Sequence, residues 1–326
     1  MNLRRIISAA FLAAITSATA GVSVAMAQEK FPVRPVRLVV PFTPGGTLDV
    51  LGRSLGAKLG DIWGQPVIIE NRTGAGGALG AVAVSKATPD GYTLLITAVG
   101  FVISAVVQPN SLYHPIKDFS GVASLGRNVV VLLVSPSLGV KTTNDLIALA
   151  RAQPGKIIAS SLGAGSGGHL NIEKFRLAAG LKLVHVGFKG QPEALIEVVA
   201  GRVHFTIMGL PAALPLIKDG RLMPLAVADS QRSPLLPDIP AITETPLPWR
   251  RDGTQCILAP AGTPRAVIGK ISKDIARVLE MPDIKERFNA ISFVTEYAGP
   301  EQLDRAMRDD LAAVTKLVKD IGLIPK

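Results

Sequence analysis

The sequence predicts an α/β fold in two domains with mostly parallel sheets. Three observations carry this. Short runs rich in β-branched residues alternate with helical patterns from one end of the chain to the other. Those runs are apolar almost throughout, as strands in a sheet covered on both faces must be. The chain has 326 residues and is 48% hydrophobic, enough for two cores at the usual ~100–200 residues per domain.

Taken in order, Val36–Val40 reads as a strand. Asp49–Trp63 reads as a helix, with Leu51, Leu55, Leu59 and Ile62 on one face. Strand Val67–Glu70, a small-residue helix over Gly77–Ala87 and strand Tyr92–Thr97 follow. Strand Val129–Val134 then opens a second series: helix Asn144–Gln153, strand Lys156–Ser161, helix His169–Ala179, strand Lys182–Phe188. Helix Pro192–Ala200, strand Val203–Met208, helix Ala212–Asp219 and strand Leu222–Val227 complete it. Ser233–Pro248 carries Pro234, Pro237, Pro240, Pro246 and Pro248. It is too rich in proline for a helix and reads as an extended surface segment crossing between the domains. Helical patterns over Pro264–Leu279 and Glu301–Ile321 close the chain. Thr142-x-x-Asp145 and Thr263-Pro264 mark helix starts.

The N-terminus predicts export. Arg4 and Arg5 begin it, Ile6 to Val24 is apolar and small, and Ala25-Met26-Ala27 fits the small-x-small cleavage pattern. Residues 1–27 are therefore expected to be a signal peptide, with the mature chain starting at Gln28. No cysteine stands at the cleavage site to carry a lipid, and no later run is apolar for the ~18 residues a membrane span needs. The one cysteine, Cys256, excludes an internal disulfide and reads as a small buried apolar residue. Losing Arg4 and Arg5 takes the formal charge from +10 to 10 − 2 = +8. The cations are scattered singly and aromatics are 5%, which excludes a nucleic-acid surface and suits a diffuse field that steers small anions.

The chemistry lies in three glycine-rich turns, each leaving a strand and opening a helix: Pro41–Asp49, Glu70–Gly77 and Ser160–His169. A helix N-terminus presents unpaired N–H donors and the positive end of the helix dipole, so it can hold an anion with no charged side chain. Thr43, Thr47, Ser160, Ser161 and Ser166 add small hydroxyls beside the glycines. Asp49 can cap its own helix or take an amino group of a ligand. His169 can cap or touch the ligand.

Other chemistry finds no support. Gly163-x-Gly165-x-x-Gly168 matches the dinucleotide fingerprint, but the next strand ends Val186-Gly187-Phe188-Lys189, without the acid that would bind a ribose. Phosphate-loop and nucleophile-elbow motifs are absent. His114, His169, His185 and His204 do not stand at metal-ligand spacings. No cofactor, metal or catalytic residue is expected. His169 with Ser166 is the only visible candidate for an enzyme's acid–base work, and it has no third, orienting group.

Several stretches together resemble a known family. They are Arg34–Asp49, Gly64–Gly77, Pro89–Leu95, Asp118-Phe119, Gly163–Leu170, Val186–Gly190 and Ala259–Pro264. In order and spacing they are similar to the tripartite tricarboxylate transporter receptors, the Bug-type extracytoplasmic solute receptors. The resemblance implies a type II periplasmic binding protein fold: two α/β lobes joined by two crossing strands with a ligand cleft between them. It implies lobe 1 over 28–124 plus 255–326 and lobe 2 over 125–254. It also implies a monomeric periplasmic receptor that closes on a small carboxylate and delivers it to membrane permease subunits of a secondary transporter. A sensor that presents the acid to a membrane kinase is the alternative, and an enzyme acting on a carboxylic acid a more distant one. Carried over, Thr43, Gly45, Gly46, Thr47 and Asp49 form one wall of the cleft. Ser161, Gly165, Ser166 and His169 form the other, and Asn71, Gly76, Thr97 and Ala98 the rim. The chain departs from the family at Phe188, at Gly190-Gln191 and at Thr206–Leu210, which points to a more apolar pocket for the distal end of the acid.

Overall fold

Two sheets, each flanked by helices, are built from alternating strand and helix units. The structure, a computed structural model, describes residues 31–98, 100–108, 111–163, 166–188, 190–245, 247–249 and 253–323. The expected signal peptide, residues 1–27, lies outside them. Both sheets belong to the unit Arg34–Lys326.

Among the described residues the order is β1 Val36–Val40, α1 Thr47–Trp63, β2 Val67–Asn71, α2 Ala78–Ser85, β3 Thr93–Thr97, α3 Gly100–Val107, β4 Phe119–Asn128 and β5 Val130–Val134. Then come α4 Thr143–Ala152, β6 Ile158–Ser161, α5 Gly167–Ala179, β7 Val184–Gly187, α6 Gln191–Val199, β8 Phe205–Gly209, α7 Leu210–Lys218 and β9 Met223–Val227. The chain ends with β10 Gln255–Pro260, α8 Arg265–Leu279, α9 Pro282–Ala290, β11 Phe293–Ala298 and α10 Pro300–Asp320.

The first sheet has the order β11-β4-β10-β3-β1-β2 and the second β7-β6-β8-β5-β9. The expectation of mostly parallel sheets is corrected: four described pairings are parallel and five antiparallel. The strand–helix–strand units β1-α1-β2 and β6-α5-β7 do give parallel neighbours, as crossover connections must. The antiparallel pairs come from strands that join sheets. β4 runs along β10 and β11 in the first sheet, and after one residue, Val129, the chain becomes β5 between β8 and β9 of the second.

Local signals explain the helix ends. Gly64, with φ +64°, closes α1 by donating its N–H to Gly60 O. Thr142 and Asp145 form a capping box at α4. In β5 successive residues alternate between two cores. Val131 and Leu133 pack with Leu195, Met208 and Leu210, whereas Leu132 and Val134 pack with Phe175, Phe205 and Ile207. The first sheet's core gathers Val39, Leu95, Leu258, Phe101, Phe119 and Leu303.

Ser233–Pro248 does not cross between the sheets. Val227 bridges Ala241, Ile242 and Leu247 are buried in one core of the second sheet, and Leu235, Leu236 and Ile239 pack against the other. The apolar residues between the prolines decide this, since each can bury on the second sheet without leaving it. Trp249 Nε1 donates to Ala228 O beside the second sheet, and Gly253 N–H donates to Asp310 of α10 beside the first.

Candidate ligand-binding site

The turn from β1 to α1 is held from inside by Asp49. Its Oδ2 accepts from Gly45 N–H at 3.0 Å and from Arg53 Nε at 2.9 Å, and its Oδ1 accepts from Asn71 Nδ2 at 2.9 Å. Arg53, followed by those two hydrogen bonds, holds the buried carboxyl down at about 2, against the opposing pull of burial. Asp49 and Asn71 are thus occupied in shaping the loop, with Asn71 Nδ2 also donating to Phe42 O. Gly45 needs its glycine, at φ +86°. Gly46 is the N-cap of α1 and no side chain caps the helix, which leaves its first-turn N–H groups without a side-chain acceptor.

The turn from β6 to α5 is built on hydroxyls. Ser166 caps α5, its Oγ accepting from His169 N–H at 3.2 Å, and its hydroxyl donates to Ser161 Oγ at 3.4 Å. Ser161 Oγ also accepts from Gly163 N–H at 3.2 Å and stands 2.7 Å from His185 Nε2. Behind it the rings of His169 and His185 lie 4.2 Å apart, and His169 Nε2 is 4.0 Å from Glu173. Burial pushes both imidazoles below the ordinary histidine value. For His185 the neighbouring His169 adds to this and Glu173 opposes it.

The two turns meet at one cavity of about 450 Å³. Thr47 from the first turn, Ala98 after β3, and Ser161, Gly167 and Gly168 from the second line it. Gly167 and Gly168 open α5, where N–H groups have no intrahelical acceptor. The rest of the lining is mixed, with apolar Ile103, Leu170, Ile207, Met208, Pro211 and Trp249 beside polar Asn171, Gln191, Thr254 and Gln255. Of the residues departing from the family pattern, Gln191 and Ile207–Gly209 line the cavity, and Phe188, Gly190, Thr206 and Leu210 do not.

The other residues expected in the site stand elsewhere. Thr43, Gly45, Gly46 and Asp49 shape the first turn without lining the cavity, and Asn71 and Gly76 lie on and after β2. Thr97 faces a separate void of about 20 Å³. Ser166 and His169 sit behind Ser161. Gly165 lies outside the described residues. Cys256 is buried in β10, and burial pushes its thiol up to about 12, as suits an inert core residue.

Sequence reasoning missed polar residues of the cavity wall. Arg127 at the end of β4 lines it, bound through Nε to Asp229 and through Nη1 to Glu296 of β11. Asn128 lines it too, with a buried Oδ1 that has no hydrogen-bond partner. The available signal was Gly126-Arg127-Asn128, a polar tripeptide between two apolar runs.

Among the described residues no group of three or more His, Cys, Asp or Glu is placed to hold a metal ion. No described helix is long and apolar enough to cross a membrane. The sequence profile of the tripartite tricarboxylate transporter family receptor matches residues 51–323. The chain belongs to this family. It is 31% identical to protein BugT of Bordetella pertussis, over 99% of either chain. The structure of Rhodopseudomonas palustris Rpa4515 with adipate is 34% identical with a TM-score of 0.77, covering 91% of this chain and 100% of that one. MatC of the same organism, with bound malate, is 29% identical with a TM-score of 0.72, covering 88% and 100%. The tripartite receptor is thus a periplasmic-type solute-binding protein and not an enzyme, with a type II binding fold as the resemblance implied.

Proposed function

We propose that this tripartite receptor captures a small carboxylate with an apolar body and delivers it to the permease subunits of its transporter. The observation that carries this reading is the convergence of Thr47, Ser161, Gly167 and Gly168, from two separate strand-to-helix turns, on one cavity. A carboxylate at that end meets hydroxyls and helix N-termini. The rest of the ligand meets Ile207, Met208, Pro211 and Trp249, and 450 Å³ is within the range of small-molecule sites. Relatives with bound adipate and malate support the acid end.

Magnitudes argue for capture by closure. A hydrogen bond to a charged group contributes ~1.5–3 kcal/mol and a helix terminus ~0.3–1. Three donors from one turn give roughly 5–9 kcal/mol, against at least ~4 kcal/mol of lost freedom on association. Micromolar binding needs about −8 kcal/mol, so both turns must contribute. The receptor therefore acts as a monomer of two lobes, residues 28–124 plus 255–326 and residues 125–254, with β4 and the return near Gly253 as the crossings. It works in the periplasm after cleavage near Ala27.

A thermal-shift screen of adipate, malate, benzoate and phenylacetate, followed by calorimetry, tests the reading. At least one acid should raise the melting temperature and bind stoichiometrically without turnover. No stabilisation by any of the four at millimolar concentration, or preference for an amine over its matching acid, would reject it.

A further inference from the structure

His185 is absent from the cavity wall, yet it makes the shortest contact of the one serine that lines the anion end. Its Nε2 is 2.7 Å from Ser161 Oγ. A hydroxyl has one hydrogen and two lone pairs. Ser161 Oγ already faces two other donors, Gly163 N–H and the Ser166 hydroxyl. Its own hydrogen has three destinations: Gly163 O at 3.2 Å, His185 Nε2, or an acceptor in the cavity. A carboxylate only accepts. When an acid takes the Ser161 hydrogen, the Ser166 hydroxyl, the longer of the two donors at 3.4 Å, turns away and Oγ presents that lone pair to His185, where an unprotonated Nε2 would set lone pair against lone pair at 2.7 Å.

We propose that His185 is a positioning residue for capture: it must carry a proton on Nε2 for Ser161 to donate into the cavity. This rests on the receptor reading above. The neutral Nε2–H tautomer and the imidazolium both meet the requirement. The tautomer with hydrogen on Nδ1 alone, which draws the Ser161 hydrogen to itself, does not. Ligand entry is thereby coupled to the state of a ring one residue away from the acid.

The surroundings make that state adjustable. From α5, the His169 ring lies 4.2 Å from that of His185, tilted by 38°, and Glu173 lies within electrostatic reach, with Arg176 bound to Glu173 at 2.8 Å. On the far side of β6, His204 is occupied, its Nδ1 accepting from Ile158 N–H at 2.9 Å. In the empty protein burial and His169 disfavour charge on His185. A carboxylate beyond Ser161 favours it. Capture therefore draws a proton, and affinity rises as pH falls from the bound-state titration of His185 toward its free-state value.

The test has two arms. In the ligand-free, ¹⁵N-histidine-labelled protein, His185→Gln assigns the His185 signals, and Ser161→Ala must move the His185 Nε2 shift. An unmoved shift overturns the coupling. In the second arm the tightest binder among adipate, malate, benzoate and phenylacetate is titrated from pH 5 to 8. Nε2 should then carry the protonated shift, with Kd rising by up to tenfold for each unit the pH is raised within the titration window. His185→Phe should weaken binding by ~10-fold or more and flatten the pH profile. His185→Gln, whose amide can still donate to Ser161, should recover most of the affinity with a flat profile. Wild-type affinity in His185→Phe, or an unprotonated Nε2 in the complex, overturns the proposal. If none of the four acids binds, the receptor reading fails, and the ligand-free arm alone decides whether His185 governs Ser161.

Discussion

Gly187 offers a way to move the anion turn without touching the cavity. It ends β7 and pairs with Ser161 of β6. A Cβ placed on it would stand 2.8 Å from Gly163 Cα and 3.3 Å from Gly163 N, both backbone atoms that cannot swing away. Ordinary carbon contact needs ~3.5 Å, so Gly187→Ala must displace the turn by about 0.7 Å. Around Gly163 the space is open, with no atom within 4 Å of a Cβ built there, so the turn yields before the strand does. Overpacking costs ~1–3 kcal/mol, and an open neighbourhood puts this case at the low end, about 1 kcal/mol of stability. Binding should suffer more. The bond from Gly163 N to Ser161 Oγ, already 3.2 Å, stretches past hydrogen-bond range, and Ser161 loses its fixed orientation. Losing one charge-assisted bond to the ligand weakens affinity by roughly 10–150-fold, or ~1.5–3 kcal/mol. Calorimetry with the tightest acid of the panel, paired with thermal unfolding, separates the two effects. Affinity within twofold of wild type would refute the assignment of this turn to the site.

Two further outcomes follow from the first turn. Gly46→Val should fold, because Gly46 has φ −75° and the nearest atom to an added Cβ is Thr43 O at 3.7 Å, yet its bulk at the N-cap of α1 should weaken acid binding at least ~10-fold by calorimetry. Asp49 is held at about 2 in the folded protein, below its ordinary 3.8, so the stability it contributes is present above pH 4 and lost as pH falls toward 2. Asp49→Asn should remove about 1–2 kcal/mol of stability at pH 7, after screening through half-exposed Arg53, and much less near pH 2. Equal melting temperatures at pH 7 for variant and wild type would show that Asp49 does not hold the loop.

The strand–helix alternation was legible wherever one element buries a regular face. Val36–Val40, the helix over Asp49–Trp63 and the series from Asn144 to Val227 were read to within a few residues of their observed ends. β4 was not, and its residues say why. Phe119–Asn128 includes Gly121 and Gly126, which break the apolar pattern because their neighbours leave no room for side chains. A Cβ at Gly121 would meet Asp304 Oδ1 at 2.7 Å, and one at Gly126, φ +136°, would meet Val294 O at 2.1 Å. Close approach of β11 and α10 selected those glycines, and only tertiary structure reveals it. β10, β11, α3 and α9 were missed as well. The site divided along the same line. Thr47 and Ser161, which line the cavity, stand in glycine-rich turns that announce themselves locally, whereas Ala98 came only from the family resemblance. Arg127, Asp229 and Trp249 were missed, since strand ends far apart in sequence bring them to one wall.

The charge pattern of the cavity gives α5 its central part. Arg127 is the cationic side chain in the described wall, and it binds both Asp229 from the second sheet and Glu296 from the first. Two carboxylates already balance it, so an entering acid gains most from donors with no counter-charge of their own. Those are at the N-terminus of α5, through Gly167 and Gly168. The same helix carries Leu170, buried at 1% exposure within the first sheet's core cluster beside Phe101 and Ile103. It also carries His169 and Glu173 against His185. One 13-residue helix therefore bears the anion donors, an apolar contact to the opposite sheet and the charged neighbours of His185. Because a helix is a rigid piece, the position of its N–H donors at the cavity is fixed together with the seating of Leu170 in that cluster.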